Sequence, residues 1–226
     1  MQLPGGGRAT RALRPDMRPI LLARHGETAW NALDRLQGHT DIALNDTGRG
    51  QARALAAALR EAGLAAVWTS DLARSRETGE IIASALGLAA PWVEPELRER
   101  RSGIFEGLTR RDCQVLYPDA WQAWLGRTGA PPGGESGVEA TTRFGRALAR
   151  IAATEGGPAL VVAHGEVMRL WLADVLGTSI PPIANGATYA VEHGAALRAE
   201  LVVAPRRGGG EPDPPDHRQA RGRASP

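Results

Sequence analysis

Ala159-Leu160-Val161-Val162-Ala163-His164-Gly165 sets five consecutive apolar residues before a histidine and a glycine. An unbroken apolar run of this length, with no polar alternation, is the pattern of a strand buried on both faces. Ile20-Leu21-Leu22-Ala23 repeats it, and Arg24-His25-Gly26 follows. Ala65 to Thr69 reads as another short strand and Pro91 to Glu94 as a weaker one. Helical spacing separates them. Ala52, Leu55, Ala56 and Leu59 predict a helix over 48–62, and further helices are expected over about 72–86, 136–154 and 166–176. Gly87 is placed to stop the second of these. Residues 25–47 read as a loop, and 97–135 as irregular chain with short helices around Asp112 and Trp121. Residues 187–192 and 196–203 alternate like two strands joined by a turn at His193-Gly194. The alternation of β and α predicts an α/β fold: a three-layer α/β/α sandwich, its mostly parallel central sheet covered by helices on both faces.

The 226 residues suit one ordinary domain, with 42% apolar and 23% charged residues. Every one of the 27 basic residues is arginine. The net charge is +2, but residues 1–18 carry +3 and residues 205–226 carry +2, leaving −3 on the core between them. The basic balance therefore belongs to Gly- and Pro-rich ends that read as disordered tails, and no specific nucleic-acid partner is expected. The globular domain is expected to span 19–204. Met17 stands just before the first apolar run, which makes it a candidate natural start. The single cysteine, Cys113, allows no intrachain disulfide and no cysteine-built zinc site. No apolar run is long enough to cross a membrane and no secretory leader is evident, so a cytoplasmic protein is expected.

Two histidines, His25 and His164, stand at strand ends 139 residues apart, each followed by glycine. In open α/β sheets, ligands sit beyond the carboxyl ends of the strands, so both can face one crevice. Arg24 adjoins His25, and Arg74 follows the strand ending at Thr69. Guanidinium forks match phosphate oxygens and keep their charge at every relevant pH. Glu99, after the third strand, could give or take a proton beside such a pair. A nucleotide-binding P-loop is excluded, because it needs a lysine.

Leu22-Ala23-Arg24-His25-Gly26-Glu27-Thr28-Ala29-Trp30-Asn31 resembles the signature of the histidine phosphatase superfamily, the phosphoglycerate mutase-like proteins. Further segments resemble the family in its own order. They are Gln37-Gly38 with Asp41 and Leu44, Ser70-Asp71-Leu72-Ala73-Arg74 with Thr78, and Leu97-Arg98-Glu99 through Gly103 with Glu106-Gly107. Pro132 to Ser136, Val161 to Gly165 and Asn185 to Thr188 follow. The resemblance implies the phosphoglycerate mutase-like fold and a phosphohistidine mechanism. His25 would be the nucleophile and Glu99 the general acid and base, while Arg24, Arg74 and His164 would cradle the phosphoryl oxygens. Asn31, Gln37, Gly38 and Gly165 would complete the phosphate pocket. Arg110 is a candidate contact for an acidic substrate. No metal or other cofactor is implied.

Ser102, Phe105 and Glu166 depart from residues common in relatives, at positions that would border the leaving group. A mutase must shield its phosphoenzyme from water, and mutase relatives use a long insertion before the second histidine and an ordered C-terminal tail. Glu99 and His164 stand only 65 positions apart here, and the C-terminal segment is rich in Gly and Pro. Both points favour hydrolysis of a small phosphorylated metabolite. Phosphoglycerate mutase-type transfer, or an inactive phosphate-binding module, are the alternatives. Cys113 lacks the His-Cys and following arginine of a cysteine phosphatase. Trp121 and Trp124 read as packing residues. A monomer or homodimer is expected, and the apolar 166–176 helix would bear on a dimer only if it is not core.

Overall fold

A computed structural model describes residues 20–154, 156–192 and 198–203. The expected tails, the Met17 start and the His193-Gly194 turn lie outside the described residues. The strands are β1 (Ile20–Arg24), β2 (Ala66–Thr69), β3 (Trp92–Val93), β4 (Ala159–Ala163), β5 (Thr188–Glu192) and β6 (Arg198–Val203). The helices are α1 (Ala29–Ala32), α2 (Asp46–Ala58), α3 (Ala73–Leu86), α4 (Arg110–Leu116), α5 (Pro118–Leu125), α6 (Gly137–Ala152) and α7 (Gly165–Leu176). One sheet runs in the order β3-β2-β4-β1-β5-β6. β2 is parallel to both β3 and β4, and β4 to β1, while β5 runs antiparallel to β1 and to β6.

Alternate residues of the two central strands feed two separate cores. Ile20, Leu22, Val161 and Ala163 face α6 and α7, meeting Phe144, Leu148, Met168 and Leu172. Leu21, Ala23, Leu160 and Val162 face α2 and α3, meeting Leu55, Ala56 and Ile82. This is why both strands are apolar throughout: each side chain leaves water whichever face it takes, which contributes about 1.5–3 kcal/mol for each large aliphatic. A third cluster of Phe105, Cys113, Trp121 and Trp124 holds α4 and α5 together. Trp121 and Trp124 are thus packing residues, and Arg100 lies 4.2 Å over the Trp124 ring.

Local chemistry sets the helix starts. Thr109 and Ser136 form capping boxes with Asp112 and Glu139, and the Asn45 side chain accepts from Gly48 N–H to open α2. Gly87 ends α3 in the left-handed conformation, as its position predicts. Two expectations are corrected. The 25–47 loop contains α1, held by a capping box between Thr28 and Asn31. The third strand keeps only Trp92 and Val93. α7 is apolar because it is core: Val167, Met168, Leu170, Trp171 and Leu172 are buried within the chain's own fold, so the helix says nothing of a subunit interface. Among the described residues, no helix is long and apolar enough to cross a membrane.

Candidate active site

The parallel pairing of β1 with β4 sets Arg24 opposite Ala163, so the next residues, His25 and His164, leave the sheet side by side. His25 N–H donates to the Ala163 carbonyl at 3.0 Å, and the two imidazole centroids lie 5.1 Å apart. His25 Nδ1 lies 2.6 Å from the Gly26 carbonyl. A carbonyl can only accept, so Nδ1 carries the proton and Nε2 keeps its lone pair. The backbone beneath this ring is fixed too. Gly26 N–H donates to Thr78 Oγ1 at 3.1 Å, and Asn185 Nδ2 donates to the His25 carbonyl at 3.0 Å.

His25 opens on a cleft of about 300 Å3 that is also lined by Arg24, Asn31, Gln37, Arg74 and Glu99. Arg24 donates through Nη1 to the Ile183 carbonyl at 2.5 Å, while its buried Nε has no partner among the described residues. A side chain at Gly165 would place Cβ 2.9 Å from that Nε, so the glycine makes room for the guanidinium. Arg74 is fully buried and donates to the Gly38 and Thr40 carbonyls at 2.8 and 2.9 Å. Burial lowers its pKa to about 10, which still leaves it charged at neutral pH. Gly38 itself does not line the cleft. It adopts a φ of +50°, and a Cβ there would sit 2.3 Å from Glu106 Oε1. Its contribution is the carbonyl that aims Arg74.

Glu99 follows the 3₁₀ turn Pro95–Leu97 and turns its carboxylate toward the start of α7. Oε1 accepts from Arg100 and Val167 N–H at 2.8 Å each, and Oε2 from Glu166 N–H at 3.0 Å. These amides favour the carboxylate, but burial outweighs them and raises the Glu99 pKa, helped by the Glu166 charge. Arg143 of α6, ion-paired with Glu135 at 2.6 Å, ties down the segment by donating to the Glu96, Arg98 and Glu99 carbonyls. Nothing in the sequence distinguishes Arg143 from the other arginines.

His164 is fully buried and lies behind the cleft wall. Ser70 Oγ is 2.8 Å from its Nε2, and Arg74 Nε donates to its Nδ1 at 3.2 Å. Asn31, Gln37, Gly165 and Arg110 line the cleft, Arg110 from the exposed start of α4. Sequence reasoning passed over Arg35, Arg169, Pro182 and Ile183, which line it as well. Glu166 also borders it, paired with Arg169 at 2.7 Å.

The profile described as histidine phosphatase superfamily (branch 1) matches residues 20–195. The chain belongs to the histidine phosphatase superfamily. Within this superfamily it is 40% identical over 159 residues to phosphoglycerate mutase-like protein 4 of Arabidopsis thaliana, covering 68% of this chain and 69% of that one. A probable phosphoglycerate mutase of Erwinia tasmaniensis is 36% identical over 165 residues, covering 71% and 76%. Among solved superfamily structures, a mycobacterial glucosyl-3-phosphoglycerate phosphatase in complex with VO3 superposes with a TM-score of 0.73 at 30% identity. That match covers 84% of this chain and all of the other.

Burial, Arg74 and Arg24 hold the His25 pKa well below 6.5, and burial followed by Arg74 does the same for His164. A depressed histidine pKa means the unfolded chain binds the proton more readily than the folded one. The resulting stability is present above about pH 6.5 and is lost as pH falls, by up to about 1.4 kcal/mol per unit per histidine. Thermal unfolding between pH 7.5 and 5 is expected to show this loss. His164→Gln, which has no proton to take up, should flatten the slope by close to one proton; an unchanged slope would place the acid sensitivity elsewhere.

Proposed function

We propose that this chain is a metal-independent phosphomonoester hydrolase that acts on a small phosphorylated metabolite through a phosphohistidine at His25. The observation that carries the reading is the Nδ1 contact to the Gly26 carbonyl. It leaves Nε2 as the free nucleophile in a cleft that also holds Arg24, Arg74 and Glu99. Nε2 attacks phosphorus, the ester P–O bond breaks, and Glu99 delivers its proton to the departing oxygen. Water then attacks the phosphohistidine, Glu99 takes up a proton from it, and inorganic phosphate leaves. Charge on the transferring phosphoryl spreads over three oxygens, and fixed guanidinium donors stabilise it without rearranging. The unpartnered Arg24 Nε supports a phosphoryl site here, since a buried N–H without an acceptor suits an incoming oxyanion. Asn31, Gln37 and Gly165 border the phosphoryl site, with Gly38 behind it, and Arg110 at the mouth reaches the leaving group.

The relatives named phosphoglycerate mutase-like protein 4 and probable phosphoglycerate mutase favour a second reading, phosphoryl transfer between positions of one substrate. The short Glu99–His164 interval favours hydrolysis. Phosphate release from a panel of small phosphomonoesters in chelator, beside a mutase assay on 3-phosphoglycerate, separates the two. Release that survives chelator supports the hydrolase; isomerisation without release supports the mutase. Silence in both, with phosphate still raising the melting temperature, supports an inactive binding module. The two shifts widen the working window: the lowered His25 pKa keeps the attacking ring neutral further into acid, and the raised Glu99 pKa keeps the departing oxygen's proton donor protonated to higher pH. The hydrolytic rate on an alkyl phosphate is therefore expected to fall with a one-proton slope on the alkaline side, at a pH above the ordinary carboxylate range, and Glu99→Gln is expected to abolish that limb.

A further inference from the structure

Arg74 stands out because its fork is committed before any substrate arrives. Nη1 and Nη2 hold the Thr40 and Gly38 carbonyls, and Nε donates to His164 Nδ1. The last bond fixes the state of His164. Arginine has no acceptor, so Nδ1 must offer its lone pair, and the proton of the neutral ring must sit on Nε2. The atom facing Nε2 is Ser70 Oγ, at 2.8 Å. Ser70, Arg74 and His164 are all fully buried, so water does not substitute for any of these contacts. Ser70 is itself anchored: its N–H donates to Ser75 Oγ, which in turn donates to the Val162 carbonyl of β4. The chain of contacts thus runs from the central sheet through Ser70 and His164 to the guanidinium on the cleft wall.

We infer that Ser70 is a positioning residue, whose hydroxyl accepts the His164 Nε2 proton and so keeps Nδ1 turned to aim Arg74 at the phosphoryl group. This rests on the phosphoryl-site reading above and deepens it. In the unliganded protein His164 is an acceptor toward Arg74, not a donor into the cleft. Without the Ser70 hydroxyl, the Nε2 proton is buried without a partner. The ring then gains by moving its proton to Nδ1 or by turning, and either change takes the acceptor away from Arg74.

Nitrogen-15 spectra of histidine-labelled protein test the arrangement, with His164→Gln identifying the His164 signals. In the unliganded wild type, Nε2 is expected to be protonated and Nδ1 bare; a proton on Nδ1 would overturn the proposal. That result needs no activity, so it stands apart from the hydrolase reading and survives a variant that fails to fold. Ser70→Ala is then expected to weaken inorganic phosphate binding, and kcat/KM if the protein hydrolyses p-nitrophenyl phosphate, by about tenfold. In a His164→Ala background the same change is expected to cost less than about twofold, because the intermediary is gone. Equal losses in both backgrounds would reduce Ser70 to a structural residue and sink the idea. A wild type that binds phosphate but hydrolyses nothing would reject the hydrolase while leaving the binding cycle to decide the role of Ser70.

Discussion

His25→Ala is expected to lower phosphate release by at least about 10³-fold, because in the proposed mechanism it removes the atom that would form the covalent intermediate. The residual cleft keeps Arg24 and Arg74, so inorganic phosphate should still bind, with affinity altered far less than turnover. The measurement is a paired one: single-turnover trapping of an acid-labile phosphoprotein, and phosphate binding by calorimetry. Wild type should trap label and the variant none. Turnover within tenfold of wild type in the variant would exclude His25 as the nucleophile, whatever its neighbours suggest.

Glu99→Gln carries the second large effect, and its signature is dependence on the leaving group. Glutamine can still accept the amides of Arg100 and Val167 through its carbonyl oxygen, while its NH2 replaces the oxygen that accepts from Glu166 N–H, so two of the three contacts at the start of α7 are kept. It has no acidic proton to give. Alkyl phosphates, whose alkoxide is a poor leaving group, are expected to lose about 10²–10⁴-fold in rate. p-Nitrophenyl phosphate, whose phenolate departs without help, should lose much less in its first step. With that substrate the slow step moves to water attack, and phosphoenzyme should accumulate. Equal losses on both substrates, with no accumulation, would remove Glu99 from the proton-transfer role.

The parts of this molecule legible in its sequence are those whose physics is local. Ile20–Ala23 and Ala159–Ala163 are continuous apolar runs because both faces of their strands are covered. A helix was expected over about 136–154, and the structure opens it with a capping box between Ser136 and Glu139. His25 and His164 could be paired on paper because strand ends converge. α1 was not legible, since four residues held by Thr28 and Asn31 leave no period to detect. Arg74 and Glu99 were legible only by resemblance. Ser70, Arg143 and Arg169 were not singled out at all, because what distinguishes them is the group each meets from a distant part of the chain: His164, the Glu99 segment and the cleft. The location of His164 behind Arg74 was equally illegible, since sequence spacing carries no depth.

The strand order has a consequence for synthesis. β1 comes first in the chain but lies inside the sheet, and both neighbours are late: Ile20 pairs with Ala159 and with Val191. At about 5–20 residues per second on the ribosome, Ile20 waits about 7–28 s for Ala159 to be made. Through that interval β1 is an unpaired apolar strand, a candidate for chaperone capture or misassociation, and such non-local pairing also slows refolding. Because β4 supplies the partner strand and leads into His164, a nascent chain lacking it has the His25 loop without the second ring that lies beside it. The two histidines therefore come together late, when β4 slots in beside β1.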